Sequence, residues 1–171
     1  VAQADCPGGV ACAPAGKDGA RRVRGAEGRA GRVRDHSRGR KGIHLEGSTL
    51  WLDAPVASGL DFVSHALVDL SETVSRVVCS ARTAYLLQER FPGLQPLPSP
   101  WGREFTFGNA HVQLFPSGFD LGAAQCQARI VNNVIVYTAP FNLNPPRGVE
   151  RPPILPCDVL ILPAIYGLPH Y

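Results

Sequence analysis

One imidazole and one carboxylate stand four residues apart, at His65 and Asp69, in the stretch Leu-Asp-Phe-Val-Ser-His-Ala-Leu-Val-Asp-Leu from Leu60 to Leu70. Asp120 adds a carboxylate in a loop with two glycines, and His44 and His111 are further imidazoles. Side chains of these types build hydrolytic zinc centres. About three protein ligands hold the ion, and the fourth position keeps a water that the metal acidifies to hydroxide. Other chemistries lack their parts. Ser64 adjoins His65, but a hydrolase serine needs a nucleophile elbow, and no Gly-x-Ser-x-Gly occurs. No Gly-x-x-x-x-Gly-Lys-Ser/Thr run is present to cradle phosphate. Gly118 and Gly122 read as a tight loop, since no helix follows them.

The elements that must position these residues can be read in outline. Asp61 to Ser64 reads as a short buried strand that delivers His65 and Asp69 onto the following loop, where α/β enzymes commonly set their ligands. Order is expected from Gly42 onward, with Ile43 to Leu45 and Thr49 to Asp53 forming a hairpin turned at Glu46-Gly47-Ser48. Ser80 is placed to cap a helix running to Arg90, with an apolar face from Ala81, Ala84, Tyr85, Leu86 and Leu87 and a stop at Pro92-Gly93. Leu94 to Pro100 reads as a proline-rich connector. Glu104 to Phe107 and His111 to Phe115 pair across Gly108-Asn109, and Ala124 to Val131 pairs with Val134 to Thr138 across Asn132-Asn133. Asn142 to Pro156 is a proline-rich loop, and Asp158 to Leu162 is a last apolar strand. Strands, one helix, then mostly strands, without βαβ alternation, predict an α+β layered domain over residues 42–171.

The charge is divided. Residues 1–41 hold ten Lys and Arg against four Asp and Glu, a balance of +6, while the other 130 hold seven against ten, a balance of −3. The first 41 residues are Gly, Ala and Arg with little to bury, so a disordered tail is expected there. Its arginines, from Arg21 to Arg40, suit weak, non-specific contact with a phosphate backbone. The acidic remainder argues against strong nucleic-acid binding outside the tail. No run of about 18 apolar residues predicts a membrane span, and no secretory signal is evident, so a cytoplasmic location is expected. The five cysteines (Cys6, Cys12, Cys79, Cys126, Cys157) are an odd number without paired spacing and read as free reduced thiols. Methionine is absent and the chain opens on Val1, which reads as a valine-decoded start or as a processed or partial chain.

Six segments in order resemble the metallo-β-lactamase superfamily, in the branch of RNA 3′-end-processing factors and the exonuclease-like proteins beside bacterial DNA ligases. Trp51-Leu52-Asp53 matches a Trp-Leu-Asp strand end, and Ser64 to Leu70 matches Ser-His-Ala-His-x-Asp-His in part. Thr83 to Leu87 resembles Thr-Ala-x-Leu-(Leu), and Pro116 to Gln125 resembles Pro-Ala-Gly-His-x-Leu-Gly-Ser-Ala-Gln. Tyr137 to Asn142 stands where the family has Tyr-Thr-Gly-Asp-Phe-Lys, and Tyr166 to Tyr171 matches Tyr-Gly-Leu-Pro-x-Tyr. The resemblance implies a partial αββα sandwich, its N-terminal half, since family members continue with further strands and helices.

It also implies where two zinc ions would bind: at the positions of His65, Leu67, Asp69, Leu70, Phe119 and Pro140. Only His65 and Asp69 retain coordinating side chains, and they would serve different metals. The expectation is a vestigial site without zinc, in which Leu67, Leu70 and Phe119 fill the former centre as core and His65 pairs with Asp69. A non-catalytic binding or scaffold role follows, in kind like the inactive paralogue of the eukaryotic cleavage and polyadenylation complex. Expected partners are an active homologue or a protein supplying the missing half-sandwich. Two alternatives stand beside it: an active metal-dependent nuclease or other hydrolase with rearranged ligands, Asp120 among them and His44 and His111 as further candidates, and a truncated product without retained function.

Overall fold

The computed structural model of the chain describes residues 33–35, 42–55 and 59–163. Eleven strands and one helix are described. The first sheet runs β1 (Val33–Asp35), β2 (Ile43–Leu45), β3 (Leu50–Leu52), β4 (Leu60–Phe62), β5 (Arg76–Cys79) and β6 (Gln95–Pro98), neighbours in that order. Its first three strands are antiparallel and β3 to β6 are parallel. The second sheet runs β11 (Val159–Ile161), β10 (Asn133–Tyr137), β9 (Ala124–Ile130), β8 (Ala110–Pro116) and β7 (Phe105–Phe107). It is antiparallel except for β10 with β11. The helix α1 (Ala81–Arg90) makes the crossover from β5 to β6.

Side-chain alternation fixes the layers. On β9, Ala124, Cys126, Ala128 and Ile130 point inward and are buried, while Gln127 and Arg129 point outward. Facing them from the first sheet are Leu45, Leu50, Leu52, Phe62 and Val78, and the two sets form one core. The central strands of the first sheet are buried on both faces, as parallel strands are. Their other face, with Val63, Val77 and Cys79, packs under Ala84 and Leu87 of α1 in a second cluster. The described residues therefore stack as helix, sheet, sheet, in agreement with the α+β partial sandwich expected. Phe62 is fully buried between the sheets, so Phe62→Ala should cost about 3–5 kcal/mol.

Ser80 caps α1: its Oγ accepts from Thr83 N at 3.1 Å and donates to Gly122 O at 2.6 Å. A cap of this kind contributes about 1 kcal/mol. The buried side chains of α1 are Thr83, Ala84 and Leu87, and Tyr85 and Leu86, expected on its apolar face, are exposed. Leu94 to Pro100 is not a connector, since β6 lies within it. Gln95 N donates to Ser75 O and Ser99 N to Cys79 O, so the donors facing β5 come from alternate residues, while Pro96 and Pro98 fall between them on an edge strand. The turn of the β9–β10 hairpin is shifted by one residue, because Ile130 pairs with Asn133 and leaves Val131-Asn132 as the loop. Strand β1 pairs with β2 inside the segment expected to be a disordered tail, its backbone extending the ladder at the sheet edge. The remainder of that segment, with Cys6 and Cys12, lies outside the described residues, as does the Tyr166 to Tyr171 match. Cys79, Cys126 and Cys157 are free thiols. Among the described residues no helix is long and apolar enough to cross a membrane.

Candidate metal centre

The loops at the C-terminal ends of β3, β4 and β10 are tied together by one carboxylate. Asp53 follows β3 in a left-handed conformation, φ 46°, which an aspartate tolerates better than most residues. Its Oδ1 accepts from Ser64 N at 2.7 Å, and its Oδ2 accepts from Ser64 Oγ at 2.6 Å and from Tyr137 Oη at 2.8 Å. Ser64 and Tyr137 are buried, so these are charge-assisted bonds in a largely dry setting. Burial, then the charge of Asp53 and its hydrogen bond, raise the Tyr137 hydroxyl far above the ordinary phenol range. Ser64 is thereby fixed immediately before His65, and Ser64 O in turn accepts from Ala124 N at 2.8 Å, joining the start of β9.

His65 is half-buried at the head of the next loop. Its Nδ1 accepts from Leu67 N at 3.2 Å, which leaves the proton of a neutral ring on Nε2. The ring lies 5.4 Å from that of Phe119, tilted by 56°. Arg90, the last residue of α1, donates to the carbonyls of Ala66 and Val68 and so staples this loop from the helix side. The 117–123 loop is held against the N-terminus of α1, where Ser80 Oγ and Thr83 Oγ1 both donate to Gly122 O. The 139–143 segment joins it through Asn142 N to Ser117 O at 3.0 Å. Gly118, at φ 72°, is required there, since a Cβ would collide with the Asn142 carbonyl and with Pro152.

The six positions implied by the resemblance fall on these adjoining loops. His65 faces Phe119, but Asp69 is exposed, and no hydrogen bond joins it to His65 among the described residues. The expected His65–Asp69 pair is replaced by the Leu67 N–H bond and the Phe119 contact. Nor do the replacing side chains become core. Leu67 is 63% exposed and Phe119 39% exposed, because both lie beyond the ends of the strands, where the inter-sheet space is already filled. Only Leu70 is partly withdrawn, against the cluster under α1, and Pro140 is half-buried. Asp120 does not turn toward His65 as a replacement ligand; its Oδ1 accepts from Leu121 N at 2.7 Å at the surface. His44 stacks on Trp51 at 4.6 Å and donates from Nε2 to Ser48 O, and His111 meets Glu104 at 3.2 Å on the outer face of the second sheet.

Among the described residues no group of three or more His, Cys, Asp or Glu is placed to hold a metal ion. One half-buried imidazole and one exposed carboxylate do not fit zinc, which needs about three protein ligands to outcompete water. A separate cleft of about 290 Å³ opens between the second sheet and the proline-rich segment before β11. Glu104, His111, Gln127, Arg129, Cys157 and Asp158 are among its lining residues, and Glu104 bonds Arg129 there at 2.8 Å. Sequence reasoning identified the loops but missed Asp53 as their tie. The available signal was an aspartate closing an apolar strand, at Trp51-Leu52-Asp53.

No family model matches the chain. It is 31% identical over 134 residues to a probable DNA ligase from Opitutus terrae, a match that takes in 76% of this chain and 13% of the ligase. The chain thus spans about an eighth of the length of the relative it matches. Among solved structures it is similar to a Cronobacter sakazakii metallo-β-lactamase with a HARLDQ motif, at 13% identity over 60% of this chain and 50% of that one, with a TM-score of 0.46. The MIM-2 metallo-β-lactamase is similar at 15% identity over 57% of this chain and 53% of its own, with a TM-score of 0.47.

Proposed function

We propose that this chain is a metallo-β-lactamase-like module of the nuclease branch that has kept the scaffold of a metal centre and acts by binding, without zinc-dependent catalysis. The observation that carries the reading is the donor set on the site loops. Side chains at Leu67, Leu70, Phe119 and Pro140 cannot coordinate, and the two donors left, His65 and Asp69, do not converge. A hydroxide nucleophile needs the metal that acidifies it, and the one carboxylate held on buried partners at this end among the described residues, Asp53, has its oxygens taken up by Ser64 N, Ser64 Oγ and Tyr137 Oη. What they do is structural: Asp53, Arg90 and Ser80 hold three loops in place and present their surface. The similarity to a DNA ligase supports a setting in DNA processing. The partner reading is an active homologue or a protein that supplies the other half of the sandwich, against β11, which is the edge of the second sheet among the described residues and carries the exposed Leu160. The basic residues before Gly42 would add weak, salt-sensitive attraction to nucleic acid.

The test is hydrolysis of end-labelled single- and double-stranded DNA and RNA with zinc or manganese supplied. No cleavage above that of the His65→Ala variant is expected. Turnover that His65→Ala abolishes would overturn the binding role in favour of a metal-dependent nuclease.

A further inference from the structure

We propose that the loop end of the sandwich is the contact surface of a symmetric dimer of this chain. It names a partner for the binding surface described above and rests on that reading only in taking this end as free of metal. Three loops adjoin there: His65 meets Phe119, and Asn142 N bonds Ser117 O. They leave large apolar side chains open to water, with Leu67 63%, Phe119 39%, Leu121 37%, Phe141 44% and Leu143 58% exposed. Together these expose roughly 400–500 Å² of apolar surface, the upper range of what a monomer leaves uncovered and a size that usually marks an interaction site.

The rim identifies the occupant. Asp69 and Asp120 are exposed there, and so are Arg90, bound to the carbonyls of Ala66 and Val68, and Arg82, packed against Gly122. A rim with both signs and no net positive field does not suit a polyanion. It does suit a two-fold axis, across which an aspartate of one copy can meet an arginine of the other while the apolar centres face each other. Two such patches bury roughly 800–1,000 Å² before the rim is counted, approaching the lower bound of about 1,200 Å² for a specific interface.

Sedimentation velocity of the full chain over a concentration series, with zinc and with chelator, tests this. A monomer–dimer equilibrium in the micromolar range, the same in both, is expected. Leu67→Lys and Phe141→Lys should each weaken it at least about tenfold while unfolding as cooperatively as the parent. Leu160→Lys, on β11, should leave it unchanged, which separates the loop end from the open strand edge. A monomer at every concentration overturns the proposal, as does association that Leu160→Lys removes and the loop variants do not. A dimer that persists in chelator while zinc remains bound would sink the metal-free reading and leave the dimer standing.

Discussion

Replacing Asp53 by alanine withdraws one carboxylate from three donors at once: Ser64 N, Ser64 Oγ and Tyr137 Oη, at 2.7, 2.6 and 2.8 Å. Ser64 is fully buried and Tyr137 nearly so, hence neither can recover its lost partner from bulk water without opening the sheets. Leaving a buried donor unpaired costs about 1–3 kcal/mol each. Asp53 itself is half-buried, so some solvent can enter the space, and the low end of that range applies. Asp53→Ala should therefore destabilise by about 3–5 kcal/mol, a large share of the roughly 5–15 kcal/mol typical of a domain. Asp53→Asn keeps one acceptor oxygen and should cost about 1–3 kcal/mol, and Tyr137→Phe, which removes a single donor, about 1–2 kcal/mol. Urea unfolding followed by the fluorescence of Trp51 and Trp101 measures each value. In the Asp53→Ala/Tyr137→Phe double variant the losses should fall short of additivity by about 1 kcal/mol, because the two residues share one bond. An Asp53→Ala variant within about 0.5 kcal/mol of the parent would refute the tie.

Two further outcomes follow from the fold. Val131 holds φ 56° in a two-residue turn and is exposed, a conformation that β-branched residues adopt at a cost, so Val131→Gly should raise stability by about 0.5–1 kcal/mol in the same unfolding assay. Burial pushes the Cys79 thiol from 9.0 up to about 12, and burial followed by Asp53 raises both Cys126 and Tyr137. A folded-state pKa above the unfolded one contributes stability that is whole below the unfolded value and lost as pH rises toward the folded one. Unfolding free energy should accordingly hold to about pH 9 and then fall by about 1.4 kcal/mol per pH unit for each group past its unfolded value, 9.0 for the two thiols and 10.0 for Tyr137. Cys79→Val should remove one group's share of that slope, and equal slopes in parent and variant would contradict the assignment.

The sequence made the strand order largely legible because its signals are local. Gly108-Asn109 marks the β7–β8 turn and Ser80 the helix cap, and both stand where the residues place them. What it concealed depends on partners far away in the chain. Strand β5 has only three apolar residues, Val77 to Cys79, behind an exposed Arg76, too short a run to announce a strand, and β6 carries two prolines that only an edge position admits. The Val131 turn went against its own sequence, because cross-strand register outweighs the preference of an Asn-Asn pair. At the site, the loss of ligands was readable residue by residue. That Leu67 and Phe119 would stay in solvent was not, since burial is set by where the strands end. Asp53 shows the same limit: its place at the end of β3 was visible, but its bond to Tyr137 spans 84 residues.

The central claim is that the loops keep the form of a metal centre without the means to hold zinc. Its most direct test is the metal content of the chain, purified without chelator and dialysed against buffered zinc, beside the His65→Ala variant. The donor set predicts far less than one zinc per chain and no difference between the two proteins. One or more tightly held zinc ions per chain, lost on His65→Ala, would contradict it.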